Sequence, residues 1–210
     1  GFGEELVDSI AKRATSDALA KIGAGEIESG KYDVIFCGKQ MKDILSAFSS
    51  VFSGRSANLG LSLLKGKEGE KIAADCVTLI DDPQKEGSAT QTAFDGEGVA
   101  TYTKNVIENG VLKTLLYDIA SADKVGKEST GNGQRGSYAS PVSIAPYHFY
   151  LAGGSLSDDE LLASMGDGIY ITELKGLHAG ANSVTGDFSI ESAGFRVREG
   201  KKCEAIKSFT

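Results

Sequence analysis

The pair Asn109-Gly110 constrains this chain more tightly than any other two residues in it. Both residue types tolerate the positive φ angles of a two-residue type I′ turn. They separate two β-rich runs in "ATYTKNVIENGVLKTLLYD", so the spacing predicts a tight hairpin. A second hairpin is predicted in "GFRVREGKKCEAIKSF", where Phe195 and Val197 alternate with Arg196 and Arg198 ahead of Glu199-Gly200. "YDVIFC" reads as a buried strand, and "YHFYLA" and "GIYITEL" as two more.

The front of the chain has a different period. From Glu4 to Ile22 apolar residues recur at Leu6, Ile10, Ala14, Ala18 and Ile22 with Leu19 alongside, and the stripe ends at Gly23 and Gly25. This predicts an amphipathic helix. "MKDILSAFSSVFSG" predicts another, with Met41, Ile44, Leu45, Phe48, Val51 and Phe52 on one face before Gly54. Ser157 and Glu160 stand at capping-box spacing and open a short helix in "LSDDELLASMG". The fold class expected is α+β, with N-terminal helices followed by a mainly antiparallel β-rich domain rather than a βαβ repeat.

Charge and hydropathy exclude some functions. The 210 residues carry 29 acidic and 22 basic side chains, a formal net charge of −7. No Lys/Arg block exceeds two residues, so the cationic surface that binds phosphate backbones is missing and no direct nucleic-acid contact is expected. No apolar run approaches the roughly 20 residues that span a bilayer. The opening "GFGEELVDSI" lacks the basic and apolar regions of a signal peptide. The expectation is a cytoplasmic protein without membrane contact. Cys37, Cys76 and Cys203 are odd in number and far apart, which predicts buried free thiols rather than disulfides.

Few motifs carry chemistry. H-E-x-x-H, which places two histidines one helical turn apart on a shared metal, is absent. His148 and His178 lie in different segments and are expected to serve structural or hydrogen-bonding roles. "TGNGQRGS", Thr130 to Ser137, lacks the Lys-Ser/Thr ending of a phosphate loop and is expected to be a flexible or partner-ordered loop. The acidic groups Asp81-Asp82 and Asp95 to Gly98 do not match calcium-loop spacing and read as solvated turns. No G-x-S-x-G elbow marks a nucleophilic serine.

One polar cluster remains, "GLHAGANSVTGDFS", with His178, Asn182, Thr185, Gly186 and Asp187. Gly186 is expected to supply an unusual backbone conformation, and Asn182, Thr185 and Asp187 to hydrogen-bond locally through Asx-type contacts.

Several stretches together resemble the PmbA/TldD family of peptide-maturation metallopeptidases, also known as modulators of DNA gyrase. They are "YDVIF", "LSAFSSVFSG", "GEKIAADCVTLIDDP", "FDGEGVATYTKNVIENGVLKTLLYDIASADKVGKESTGNGQR" and "GLHAGANSVTGDFSIESAGFRVREGK", in family order. In TldD-like members the helix after the "YDVIF"-type strand carries H-E-x-x-x-H, and a later cysteine-glycine-lysine motif supplies a further ligand. Here the helix reads "MKDILSAFSSVFSG", without histidine, and the later segment reads "GLHAGANSVTGDFS". Both departures resemble the PmbA-like branch. The resemblance therefore implies no catalytic residues and no metal or other cofactor in this chain, with zinc in a TldD-like partner. His178, Asn182, Thr185, Gly186 and Asp187 would form a substrate cleft or signature turn. The implied partners are a TldD-like metallopeptidase subunit or a second copy of the chain, and a peptide substrate, in a cytoplasmic complex. The alternatives are a metallopeptidase in its own right, using His178 with a cysteine or carboxylate, and a protein-contact modulator of gyrase. The resemblance also implies that residues 1–30 are a connecting helix from a preceding domain and that 31–210 are a C-terminal domain continuing beyond Thr210, so exposed apolar surface and self-association are expected.

Overall fold

The structure, a computed structural model, describes residues 4–88 and 90–210. It is α+β, as the two periods predict, and it divides into two compact units. The first comprises residues 1–41, 155–177 and 189–210, and the second 42–154 and 178–188. Among the described residues no helix is long and apolar enough to cross a membrane.

The first unit is built on a four-stranded sheet. Strands β1 (Val34–Phe36), β8 (Gly168–Lys175), β9 (Glu191–Arg198) and β10 (Lys201–Phe209) lie in that order, with β1 parallel to β8 and the other pairs antiparallel. Ile169, Ile171 and Ile206 are buried on it, with Ile27, Phe36, Leu174 and Phe209 packed around them. The predicted β9–β10 hairpin forms as written. Glu199 (φ 49°) and Gly200 (φ 75°) take the positive angles of the turn. Helix α5 (Asp158–Met165) begins with the predicted capping box: Ser157 accepts from the Glu160 backbone N–H, and the Glu160 carboxylate accepts from Ser157 N at 2.8 Å. Helix α1 (Glu4–Leu19) covers most of the predicted stripe, ending before Gly23 (φ 76°).

The strand expected at "YDVIFC" is present but only three residues long and not fully buried, Val34 being 44% exposed. The thiols are also less buried than expected. Cys37 is half-buried, while Cys76 and Cys203 are exposed, because Cys76 sits in a turn and Cys203 on the open face of the terminal hairpin.

The second unit holds a four-stranded antiparallel sheet in the order β4 (Val111–Leu112), β3 (Lys104–Glu108), β2 (Leu79–Asp81), β7 (Phe149–Leu151), and a two-stranded ribbon of β5 (Gly133–Gln134) and β6 (Ser143–Ile144). Its core gathers Leu79, Val106, Leu112, Leu115 and Leu116, with Leu45, Val51, Phe52 and Phe149 packed against it. The helix expected across "MKDILSAFSSVFSG" is broken into three pieces: α2 (Gly38–Ala47), a 3-10 turn (Ser49–Phe52) and α3 (Gly54–Asn58). Serines cause the breaks by bonding locally instead of continuing the ladder. The Ser49 hydroxyl donates to Ser46 O at 2.8 Å, and Ser53 takes an extended conformation to cap α3, accepting from Ser56 N. Helix α4 (Ile119–Asp123) is likewise capped by Asp118.

The hairpin at Asn109-Gly110 joins β3 to β4 with φ values of 49° and 80°. A Cβ on Gly110 would lie 2.4 Å from Ala73 O. We therefore expect Gly110→Ala to lose about 3 kcal/mol or more in urea unfolding, from positive φ plus overpacking. Gly126→Ala, at φ 67° with open space around it, should lose only about 1 to 2 kcal/mol. Equal losses would show that the contact with Ala73 does not matter.

Candidate functional site

The polar cluster folds into a closed turn. Ala181 and Phe188 form an antiparallel bridge, and inside it Asn182 N donates to Asp187 O and Gly186 N to Asn182 O, both at 2.8 Å. Asn182 Oδ1 accepts from Val184 N (2.9 Å) and Thr185 N (3.3 Å), and Thr185 Oγ1 from Asp187 N (3.3 Å). Gly186 has φ 79°, and a Cβ there would come within 3.1 Å of the Leu63 side chain. The structure thus brings Asn182, Thr185, Gly186 and Asp187 together through backbone bonds. His178, on the short helix α6 (Leu177–Gly180), is exposed and makes no side-chain hydrogen bond among the described residues. The Asn182 and Thr185 side-chain oxygens thus hold the loop, while the Asp187 side chain makes no hydrogen bond among the described residues.

The turn rests on the segment that follows α2. Phe188 meets Phe48 edge-on at 6.1 Å between ring centroids, and a groove of about 540 Å³ is lined by residues of α2 and the segment after it. One wall is α2 and its extension, through Lys42, Leu45, Ser46 and Ser49; the other is β7 with the residues before it, from Ala145 to Tyr150. Phe52 packs edge-on against Phe149 at 5.2 Å behind this wall. Strand β7 is the last of its sheet, and among the described residues nothing pairs with its outer edge. Asp82 N donates to His148 O at 3.1 Å and Ala152 N to Thr78 O at 2.8 Å, so His148, Tyr150 and Ala152 face β2. By the alternation of an antiparallel ladder, the peptide groups of Phe149 and Leu151 turn towards the open edge. Lys85, stacked 3.9 Å from the Tyr150 ring centroid, and Lys42 place positive charge at the groove.

Buried polar bonds fix the β7 wall. Asp81, expected in a solvated turn, is completely buried at the end of β2. Its carboxylate accepts from Tyr147 N (2.6 Å), from Asn132 Nδ2 (2.7 Å) and from Lys104 Nζ (3.3 Å). Asn132 Oδ1 accepts from the Thr130 hydroxyl at 2.7 Å, and Thr130 Oγ1 accepts from Tyr117 N at 2.7 Å. "TGNGQRGS" is therefore no flexible loop at its start, since Thr130 to Gly133 are buried in this network. Asp95 is also buried, accepting from Glu97 N, Val99 N and Gly133 N at 2.9 Å each. Burial pushes the Lys104 ammonium below its usual range, with Asp81 opposing. Burial, then the charges of Asp95 and Asp81, pushes the Tyr147 phenol up to about 12. Nearby, Asp118 pairs with Arg55, and Glu68 pairs with Lys127 while accepting from Leu115 N at 2.9 Å. Burial raises both carboxyls, but hydrogen bonds from Ser121 and then the Arg55 charge for Asp118, and Lys127, Leu115 N and Tyr117 for Glu68, outweigh it and hold them below the ordinary carboxylate range.

The donor set does not fit a metal ion. Among the described residues no three His, Cys, Asp or Glu side chains gather where they could hold one. His148 is engaged through Nε2 with Ser88 Oγ at 2.7 Å, the hydrogen-bonding role expected of it. The groove face of α2 offers Leu45, Ser46 and Ser49, none of which is a ligand of the zinc type. The Asp81 network and the groove were missed in the sequence, although one signal was present: Leu79 and Asp81 stand two apart on one strand, so they share a face.

Residues 29–210 match the family described as PmbA/TldA metallopeptidase C-terminal domain. The chain is 30% identical over 183 residues to the metalloprotease PmbA of Escherichia coli O157:H7, covering 87% of this chain and 38% of that protein. A Thermotoga maritima structure described as a modulator of a DNA gyrase superposes with a TM-score of 0.88 at 40% identity, covering 94% of this chain and 45% of that one. TldE from Thermococcus kodakarensis superposes with a TM-score of 0.80 at 26% identity, covering 95% and 46%. The chain thus spans less than half the length of each of these relatives.

Two outcomes follow from the buried charges. Lys104→Ala leaves the Asp81 carboxylate short of its counter-charge and should cost about 3 kcal/mol or more in chemical unfolding. Lys71→Ala, which removes an exposed pair with Asp75, should cost about 0.5 kcal/mol or less. For pH, Glu68 and Asp118 bind protons less tightly when folded than when unfolded. Their contribution is therefore complete above the ordinary carboxylate pKa and lost as pH falls through the depressed folded values. Stability should hold from neutral pH into mild acid and fall below about pH 4, and Glu68→Gln should shallow that fall. An unchanged acid limb in Glu68→Gln would count against the assignment.

Proposed function

Because this chain belongs to the PmbA/TldD metallopeptidase family, we propose that it acts as a PmbA-like, metal-free subunit of a cytoplasmic complex. In that complex it binds unfolded peptides, and a TldD-like chain supplies zinc and the cleavage step. The observation that carries the reading is the groove between α2 and the free edge of β7. Its shape suits an extended peptide. The outward peptide groups of Phe149 and Leu151 offer main-chain hydrogen bonds that do not depend on the substrate's sequence, the property a degradative peptidase needs. Leu45, Phe149 and Tyr150 supply apolar contact, and Lys42 and Lys85 favour acidic side chains or a terminal carboxylate. The metal-free assignment rests on the sequence of α2 and its extension, "MKDILSAFSSVFSG", which carries no histidine. No step of hydrolysis is assigned to this chain. The closed turn at 182–187 braces the α2 wall through Phe188 and Phe48, a positioning role for the residues singled out in the sequence.

The test is peptide binding without turnover. A fluorescein-labelled unstructured acidic peptide should bind the purified chain with the same affinity in the presence and absence of a chelator, and mass spectrometry should find it intact. Leu45→Glu, which puts a charge on the apolar wall, should weaken binding about tenfold, near the 1.4 kcal/mol that such a change represents. Adding a TldD-like chain should start cleavage. Chelator-sensitive cleavage by this chain alone would sink the proposal.

A further inference from the structure

A second pocket, of about 460 Å³, adjoins the groove at the N-terminal end of β7, where Pro146, Tyr147 and His148 line both. Arg135, directly after β5, stands in its wall and is held from two sides. Its Nε donates to Gly96 O at 3.3 Å and its Nη1 to Ser140 O at 2.9 Å. Among the described residues the guanidinium has no carboxylate partner, and Nη2 has no acceptor. We propose that this pocket holds the free C-terminal carboxylate of a bound peptide, which then runs antiparallel to β7. The inference rests on the groove reading and gives it a direction and a substrate class, unfolded fragments with a free C-terminus.

The lining favours a carboxylate over the ammonium of a peptide N-terminus. A guanidinium with free N–H groups binds a carboxylate through charge-assisted hydrogen bonds. The Tyr147 phenol, pushed up to about 12 by burial and then by the charges of Asp95 and Asp81, keeps its proton at neutral pH. Its hydroxyl has no hydrogen-bond partner among the described residues, so it stands as a second donor beside Arg135. Asp95 is the one carboxylate among the lining residues, and it already accepts from Glu97 N, Val99 N and Gly133 N. Buried and engaged in this way, it is a poor partner for an ammonium, and its bond to Gly133 N anchors the strand that carries Arg135. The direction follows from where the pocket lies. It borders the residues before Phe149, the first of β7, so a peptide ending there pairs with the outward groups of Phe149 and Leu151 in the antiparallel sense. Two residues of extended chain, roughly 7 Å, separate Tyr147 from Phe149. Every unfolded fragment carries this carboxylate whatever its sequence, and a loop inside an intact chain does not. The pocket therefore selects ends without reading sequence.

Fluorescence anisotropy on the 210-residue chain reads this with two N-terminally labelled peptides of one unstructured sequence, one ending in a free acid and the other in a carboxamide. The acid should bind about tenfold tighter. Arg135→Gln should bring the acid down to the affinity of the amide and leave the amide unchanged. Tyr147→Phe, which removes only the hydroxyl, should reduce the preference by a smaller factor, and Lys42→Gln, outside the pocket, should keep it. Leu45→Glu should weaken both peptides alike, which separates the two readings. Equal binding of acid and amide, with Leu45→Glu still effective, overturns the carboxylate site and leaves the groove standing. A preference that survives Arg135→Gln, or one that Lys42→Gln abolishes, also overturns the site. Failure of both peptides to bind overturns the groove and the site together.

Discussion

The carboxylate of Asp81 is the interaction on which the second unit depends. It is wholly buried, and it joins three stretches far apart in sequence: β3 through Lys104, the 130–133 segment through Asn132, and the approach to β7 through Tyr147 N. An ionised carboxylate stripped of water is tolerated only when its oxygens are satisfied and its charge is opposed. Here both conditions are met by groups from separate segments, so those segments can occupy only one arrangement. Hydrophobic packing of Leu79, Val106 and Leu112 drives the sheet together. The buried charge specifies where its last strand begins.

That placement reaches the groove. Tyr147 is held by its backbone to Asp81, the adjoining Ala145 carbonyl accepts from Asn132 at 3.1 Å, and β7 continues directly from them. The opposite wall is set by different means: serines end α2 early, Phe48 turns towards Phe188, and the closed turn at 182–187 supports it. A polar network on one side and a packed aromatic pair on the other leave an apolar channel beside unpaired main-chain groups. Such a channel would offer an extended chain apolar contact beside main-chain partners, and among the described residues no group of three potential metal ligands gathers in it.

Local rules made the two hairpins, the capping box and the closed Asx-type turn legible in the sequence, because each is written within a few consecutive residues. The acidic pair at Asp81-Asp82 was opaque for the opposite reason. Composition places a charged residue in water, and only its counter-charge Lys104, its amide partner Asn132 and the Tyr147 N–H reverse that, all contributed from distant positions. The strand period still held a hint, since Asp81 follows Leu79 by two and Lys104 precedes Val106 by two, on inward faces. Helix periodicity misled in "MKDILSAFSSVFSG", where apolar spacing persists through serines that break the backbone ladder. Cysteine burial failed because the terminal hairpin leaves Cys203 on an open face.

The claim that this chain binds peptide without holding the catalytic metal is tested most directly by counting zinc. Elemental analysis after dialysis against a slight excess of zinc should find far less than one equivalent per chain, with unchanged thermal stability, because no clustered ligand set exists among the described residues to couple zinc to folding. One tightly held zinc per chain, lost to a chelator together with a drop in melting temperature, would contradict the account.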